Sequence, residues 1–360
     1  MIYRRPWKSA SLRPSSPAPS DGDVSGGKGD AKPSESNKRS LAFFVFLPIL
    51  VAIVIVGSAS LLVKLIMSPQ PKGYGDNRAA ICAIQKGALR YLDEWVQYHV
   101  LAVGFEDIYL YDNSENFELQ AWHESYIPRL RQRIHIQHFP GVRKQNKAYT
   151  HCMKQVQNKG WHDWIAFIDI DEFVVLRNPK QYPKISDFLE TLPPEYGGLA
   201  VNWVVFLLNH QMHYQDLPVT LRFQNRTDDA TNRHIKTIAR TKFVRKALNP
   251  HYVAYRLFQW WLHTYDSRGN IVKGPFNPEL ADEEIAVYHY HSKSMEEYKE
   301  RCSRGRATVS KKIAEQHLAC QSEEKILENL QEKPELTKDD APWQLLKERV
   351  PSYTNKYSTL

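Results

Sequence analysis

The sequence predicts an α/β domain with a mainly parallel central sheet, preceded by a single transmembrane helix. Three observations point there: a polar N-terminal tail, an uninterrupted apolar run after it, and short apolar runs alternating with helical patterns beyond both. Such alternation favours parallel strands, because each parallel pair needs a crossover long enough to hold a helix.

Residues 1–40 are rich in Ser, Pro, Gly and charge and contain no aliphatic run. Burial cannot offset the entropy of ordering such a segment, so it reads as a disordered tail. Residues 41–63, Leu41 to Val63, are twenty-three positions without a charge. As a helix they would span roughly 35 Å, more than the ~30 Å of a hydrocarbon core. A cleaved signal sequence fits less well, because forty residues precede the run and the run exceeds a signal core in length. Half of the formal net charge of +8 sits in the tail, with Lys38 and Arg39 against the span and Lys64 just after it. The positive-inside rule then leaves the tail cytoplasmic and everything after the span lumenal. Cys82, Cys152, Cys302 and Cys320 all follow the span, where disulfides are permitted, as does the sequon Asn225-Arg226-Thr227. No Cys/His spacing suggests zinc.

Residues 64–79, with Pro69, Pro71, Gly73 and Gly75, read as a stem, and residues 80–310 as the main domain. There a strand Ile81–Ile84 leads to a helix with Leu89, Leu92, Trp95, Val96 and Val100 on one face, then to a strand Ile108–Tyr111. A strand Ile134–Phe139, a helix from Lys144 to about Asn158 and the apolar run Trp164–Ile168 follow. From Gly198 the pattern turns β-rich, with strands expected at Val201–Leu208, Val219–Phe223, Thr237–Val244 and Ile285–Tyr290. A charged helical segment begins after Ser294, and residues 311–360 read as a helical extension and tail. Outside residues 1–40 the chain is only mildly basic, with no basic stripe interleaved with aromatics, so nucleic acid is not an expected partner.

The most informative string is Phe167-Ile168-Asp169-Ile170-Asp171-Glu172-Phe173. In an extended segment Asp169 and Asp171 point to one side, at the strand end where open α/β sheets bind ligands. Two carboxylates there either hold a cation, with Mn²⁺ or Mg²⁺ bridging to a diphosphate, or are solvated acids at a strand end. Asp171 is the first choice as ligand and Asp169 the second, while Glu172 either meets an acceptor hydroxyl or caps the strand end. Asp112 and Asn113 end another strand at the same rim, as donor contacts or as turn formers. Lys86, Arg143 and Lys144 are phosphate-neutralising candidates or ordinary surface charge. His289 and His291 share a strand face, His289 as a third metal ligand or a core histidine. Trp203, Trp260 and Trp261 are sugar platforms or core.

The ordered succession KGALRYLDEW (86–95), Tyr98-His99, IYLYDNSEN (108–116), Gln145–Tyr149, WIAFIDIDEF (164–173) and YHYHSKS (288–294), with Glu297 and Arg304-Gly305 downstream, resembles glycosyltransferase family 92 from about Ile81 to Ala307. The resemblance implies a GT-A-like nucleotide-diphospho-sugar transferase domain, metal-dependent and inverting, acting on a glycan from a UDP-sugar. It implies metal ligation by Asp169, Asp171 and His289, catalytic roles for Asp171 and Glu172, and donor contacts from Lys86, Asp112, Asn113, Gln145 and Lys293, with Arg304 comparable. It also implies a type II protein of the Golgi membrane. Family members commonly carry Lys-Asn-Glu where this chain has Lys86-Gly87-Ala88. An inverting transfer needs a carboxylate base, for which Asp282, Glu283, Glu284 and Asp216 are the candidates. Two rival readings are a phosphatase with Asp169 as nucleophile and an inactive lumenal carbohydrate-binding pseudoenzyme.

Overall fold

A computed structural model describes residues 77–208, 211–227, 230–256, 261–304, 324 and 336–358. The expected tail and span, residues 1–63, lie outside the described residues. Among the described residues no helix is long and apolar enough to cross a membrane.

The chain opens with β1 (Ala79–Gln85), α1 (Leu89–Gln97), β2 (Asp107–Asp112), α2 (Leu119–Ser125), β3 (Ile134–His138), α3 (Gln145–Lys159) and β4 (Trp164–Phe167). It continues with β5 (Glu172–Leu176), α4 (Ile185–Glu190), β6 (Tyr196–Phe206), α5 (Val219–Arg222), β7 (Asn225–Thr227) and β8 (Ile235–Arg240). The short strands β9 (Val244–Ala247), β10 (Val253–Tyr255), β11 (His263–Tyr265) and β12 (Ile271–Val272) precede β13 (Ile285–His289) and α6 (Met295–Arg304). Last come β14 (Thr337–Lys338) and α7 (Ala341–Arg349).

The main sheet runs β12-β11-β6-β8-β4-β1-β2-β3. Its β3-β2-β1-β4 half is wholly parallel, with Ile81 opposite Ile108 on one side and Ala166 on the other. The expected strands Ile81–Ile84, Ile108–Tyr111 and Trp164–Ile168 are therefore immediate neighbours. From β8 onward the sheet is mixed, because β8 runs antiparallel to both β4 and β6, while β13 bridges antiparallel β5 and parallel β6.

The reason β1 reads as an unbroken apolar run is that both its faces are covered. Ile81 and Ala83 pack on the side of α1 with Leu92, Trp95 and Val96, whereas Ala80, Cys82 and Ile84 pack on the side of α3 with Tyr149, Met153 and Val156. Cys82 and Cys152 form a disulfide that ties α3 to β1. After α1 the chain passes through a wider helical turn, Tyr98–Val103, which Gly104 ends in the left-handed region at φ 88°.

One expected strand is a helix. Val219–Phe223 is β-branched and apolar, yet Val219–Arg222 forms the helical turn α5 behind Pro218. The cause is distant in sequence: the buried Glu94 carboxylate accepts Val219 N–H at 2.7 Å, Thr220 N–H at 3.0 Å and the Thr220 hydroxyl at 2.6 Å. That carboxylate satisfies the donors a helix start leaves open. In the expected C-terminal extension, Trp343, Leu346 and Val350 join the same buried cluster as α1 and β5.

Candidate functional site

The site lies beyond the carboxyl end of β4. The strand ends at Phe167, and Asp169 to Glu172 make a turn closed by Glu172 N–H to Asp169 O at 3.1 Å. The alternation expected of an extended segment therefore does not apply, and the two aspartates are held by different partners.

Asp169 is engaged through both carboxylate oxygens. Its Oδ1 accepts from Gln145 Nε2 and from the Tyr149 hydroxyl, each at 2.7 Å, and its Oδ2 meets Lys236 Nζ at 2.7 Å. Lys236 reaches Glu172 Oε2 at 3.0 Å as well. Glu172 is wholly buried, its Oε2 also accepts Asp169 N–H at 2.8 Å, and its Oε1 has no hydrogen-bond partner among the described residues. Burial pushes the Glu172 carboxyl up to about 7 against the pull of Lys236. Burial alone would lower the Lys236 ammonium, but Asp169 and then Glu172 hold it above its ordinary range.

Asp171 has a different set of neighbours. His289 Nε2 lies 3.7 Å from its Oδ1 and Lys293 Nζ 3.8 Å from its Oδ2. Burial would raise this carboxyl, but Lys293 and then His289 hold it well below the usual carboxylate range. Register places His289 directly opposite Glu172 on the paired strands. Trp203 packs on His289 at 4.2 Å between ring centroids, and His291 stands 5.1 Å away.

Lys293 occupies the left-handed region at φ 56°, a conformation costly for a lysine and common at functional sites. What fixes it is the start of α6. Ser294 and Glu297 form a reciprocal capping box, with Ser294 N–H on Glu297 Oε2 at 3.0 Å and Glu297 N–H on Ser294 Oγ at 3.2 Å. Glu297 is anchored in turn by a buried bidentate pair with Arg222, at 2.8 and 2.9 Å, and by the Tyr91 hydroxyl at 2.7 Å. Against the effect of burial, Arg222 and Ser294 bring the Glu297 carboxyl down to about 2.

The remaining sequence candidates sort by position. The Asp112 carboxylate is taken up by Gln85 at 2.7 Å, Ser114 N–H at 2.9 Å, the Ser114 hydroxyl and Leu119 N–H at 2.8 Å, and Asn113 braces Phe139 O and Gly141 O. Both hold the rim together. Gln145 is a direct neighbour of Asp169, and Lys86 is exposed on the turn after β1. Gly87, beside it, has φ 58°. Glycine and asparagine are the residues that tolerate that region, so the exchange from the family's Asn keeps the turn. Arg143 and Lys144 lead into α3, next to a depression of about 410 Å³ lined by Phe139, Asn146, Lys147 and His151 among others.

Asp282 pairs with Arg177 and Glu283 with Arg268, near the start of β13 and so at the opposite end from His289. Asp216 is exposed on the loop whose Tyr214 N–H binds Glu296 of α6. Arg304 ends α6, and Trp260 lies outside the described residues. Sequence reasoning missed Lys236. The available signal was a lysine between Ile235 and Thr237, in a segment otherwise fit for a buried strand.

Could the site take a divalent cation? Two ligands roughly 2.1 Å from one ion lie about 3 to 4 Å apart, and a carboxylate with an imidazole is a suitable donor pair. Asp171 and His289 meet that condition at 3.7 Å. Among the described residues no three His, Cys, Asp or Glu side chains are grouped to hold an ion by themselves. Ligand oxygens and water would have to complete the shell.

An acidic turn past a parallel strand, flanked by a lysine and a histidine, lies where open α/β sheets take their ligands. The profile of glycosyltransferase family 92 matches residues 85–331, and the chain belongs to that family. A glycosyltransferase family 92 protein of Ricinus communis is 32% identical over 114 residues, which cover 31% of this chain and 20% of the relative. One of Oryza sativa subsp. japonica is 26% identical over 167 residues, 42% of this chain and 28% of the relative. The chain thus aligns with under a third of the length of either relative. Among solved structures, S. aureus TarS 1–349 in complex with UDP-GlcNAc is similar at a TM-score of 0.35 and 13% identity, over 67% of this chain and 70% of that one. A further structure of S. aureus TarS 1–349 gives 0.35 and 12%, over 59% of this chain and 60% of that one.

Proposed function

We propose that this protein transfers a sugar from a UDP-sugar to a glycan with inversion, using Mn²⁺ or Mg²⁺ in a GT-A-like domain. The observation that carries the reading is the convergence of Asp171, His289 and Lys293 within 3.8 Å contacts at the end of the β4 turn. Asp171 and His289 would hold the cation, which when bound supplies Lewis-acid stabilisation of the leaving diphosphate. Lys293, pinned by the α6 capping box, supplies a second positive charge to the same diphosphate. Trp203, packed on His289, closes that side with an apolar face. The phosphatase alternative needs a free Asp169 as nucleophile, and Gln145, Tyr149 and Lys236 occupy that carboxylate.

Calorimetric titration of the full chain with UDP-sugars, with and without Mn²⁺, tests the reading. Wild type should bind a UDP-sugar more tightly with Mn²⁺, and Asp171→Asn should lose that difference while retaining its melting profile. A folded Asp171→Asn protein with unchanged turnover and Mn²⁺ dependence would refute it.

We further propose that Leu41 to Val63 anchors the protein in the Golgi membrane with the domain lumenal. The Cys82–Cys152 disulfide supports that side, since such bonds persist in oxidising compartments. In intact microsomes a C-terminal epitope should resist protease, and its digestion without detergent would show the opposite orientation.

A further inference from the structure

We propose that Lys236 is a positioning residue of the acidic turn. Its buried ammonium is the resident counter-ion of Asp169 and Glu172, keeping Asp169 out of the metal shell and leaving Asp171 as the one carboxylate presented to cation and donor. The inference rests on the transferase reading above.

Two carboxylates drawn to one spot repel unless one takes up a proton or a cation lies between them. Here the protein supplies it. β8 pairs with β4 as far as Ala166 opposite Ile238, and Lys236, two residues earlier on the antiparallel β8, reaches past the end of β4. Its Nζ lies 2.7 Å from Asp169 Oδ2 and 3.0 Å from Glu172 Oε2, and the residue is wholly buried. Asp169 Oδ1 is filled separately by Gln145 and Tyr149. A divalent ion approaching Asp169 Oδ2 would meet an ammonium already in contact with it. Lys236 cannot swing away, because a buried charge without its partner is strongly unfavourable. Among the described residues Asp171 has no ion pair with Lys236; its neighbours are the His289 ring and the Lys293 ammonium. The turn therefore divides its acids by partner, with Asp169 bound to Lys236 at 2.7 Å and Asp171 beside His289 and Lys293 at 3.7 and 3.8 Å.

The test is the affinity for Mn²⁺ of the full chain with saturating UDP, measured by calorimetry. The variants are Asp169→Asn, Asp171→Asn, Lys236→Met and the double variant Lys236→Met/Asp169→Asn. Asp171→Asn should weaken Mn²⁺ about tenfold or more and Asp169→Asn about twofold or less, because only the first loses a ligand. Without Lys236, Asp169 becomes a ligand, so adding Asp169→Asn to Lys236→Met should cost about tenfold, a coupling that independent sites do not show. Equal losses in the two single aspartate variants would overturn the inference, as would an equally small effect of Asp169→Asn in both backgrounds. Should Lys236→Met lack a cooperative melt, the comparison of the two aspartate variants decides alone. A wild type that fails to bind UDP overturns the transferase reading and this inference with it. UDP binding with like-behaving aspartate variants overturns this inference only.

Discussion

His99, part of the string that resembles the family, touches neither Asp171 nor Lys293. Its Nε2 accepts Val174 N–H at 3.2 Å and its Nδ1 bonds Trp95 O at 2.9 Å, so it links α1 to the strand that carries the acidic turn. Because Nε2 is an acceptor, the ring is neutral with its proton on Nδ1. Burial brings its pKa down from 6.5 to about 3. The sign of the linkage follows: between those values the unfolded chain binds a proton that the folded chain does not, so stability falls as pH drops below 6.5. One such group contributes a slope of about 1.4 kcal/mol per pH unit at most. His99→Gln should be less stable at pH 7 yet lose less stability on acidification, by about one proton in the slope of unfolding free energy. Urea midpoints across that range give the answer; parallel slopes in the two proteins would mean that His99 does not titrate on unfolding.

At the scale of elements, legibility in the sequence follows burial. β1, β2 and β4 were readable because strands covered on both faces are continuous apolar runs, and α1 because Leu92, Trp95 and Val96 recur on one buried face. α5 was unreadable, since its cause is a glutamate more than a hundred residues away. The short strands β9 to β12 carry too few residues to show a period. The site divides in the same way. Asp169, Asp171, His289 and Lys293 stood out as acids at a strand end and polar residues inside distinctive strings, and the fold brings the last three together. What pattern could not give was the partition of the two aspartates, because a turn replaced the extended segment and Lys236 arrives from 67 positions along the chain. Residues of the capping box, Ser294 and Glu297, were visible as a spacing, but not their link through Arg222 to α5.

For the molecule as a whole, the family match ends at residue 331 while the packed structure does not. Residues 336–358 return to the domain: β14 pairs with β7, and Trp343, Leu345, Leu346, Val350 and Tyr353 are buried in the main cluster. Arg349 fastens the end of α7 by donating to Ala102 O at 2.8 Å and Pro179 O at 3.0 Å, and also to Pro183 O. The covered surface includes the wider turn after α1 and the flank of β5, so this segment supports the strand into which the acidic turn leads. Burying each large apolar side chain contributes roughly 1.5–3 kcal/mol, so five of them together approach or exceed the ~5–15 kcal/mol by which domains are stable. A chain ending at residue 335, which keeps every site residue and the whole family match, should therefore not give a cooperative melt. Calorimetry of that truncated chain beside the full one decides it. A truncated protein that melts cooperatively within a few degrees of the full chain would show that the C-terminal segment lies on the domain without holding it together.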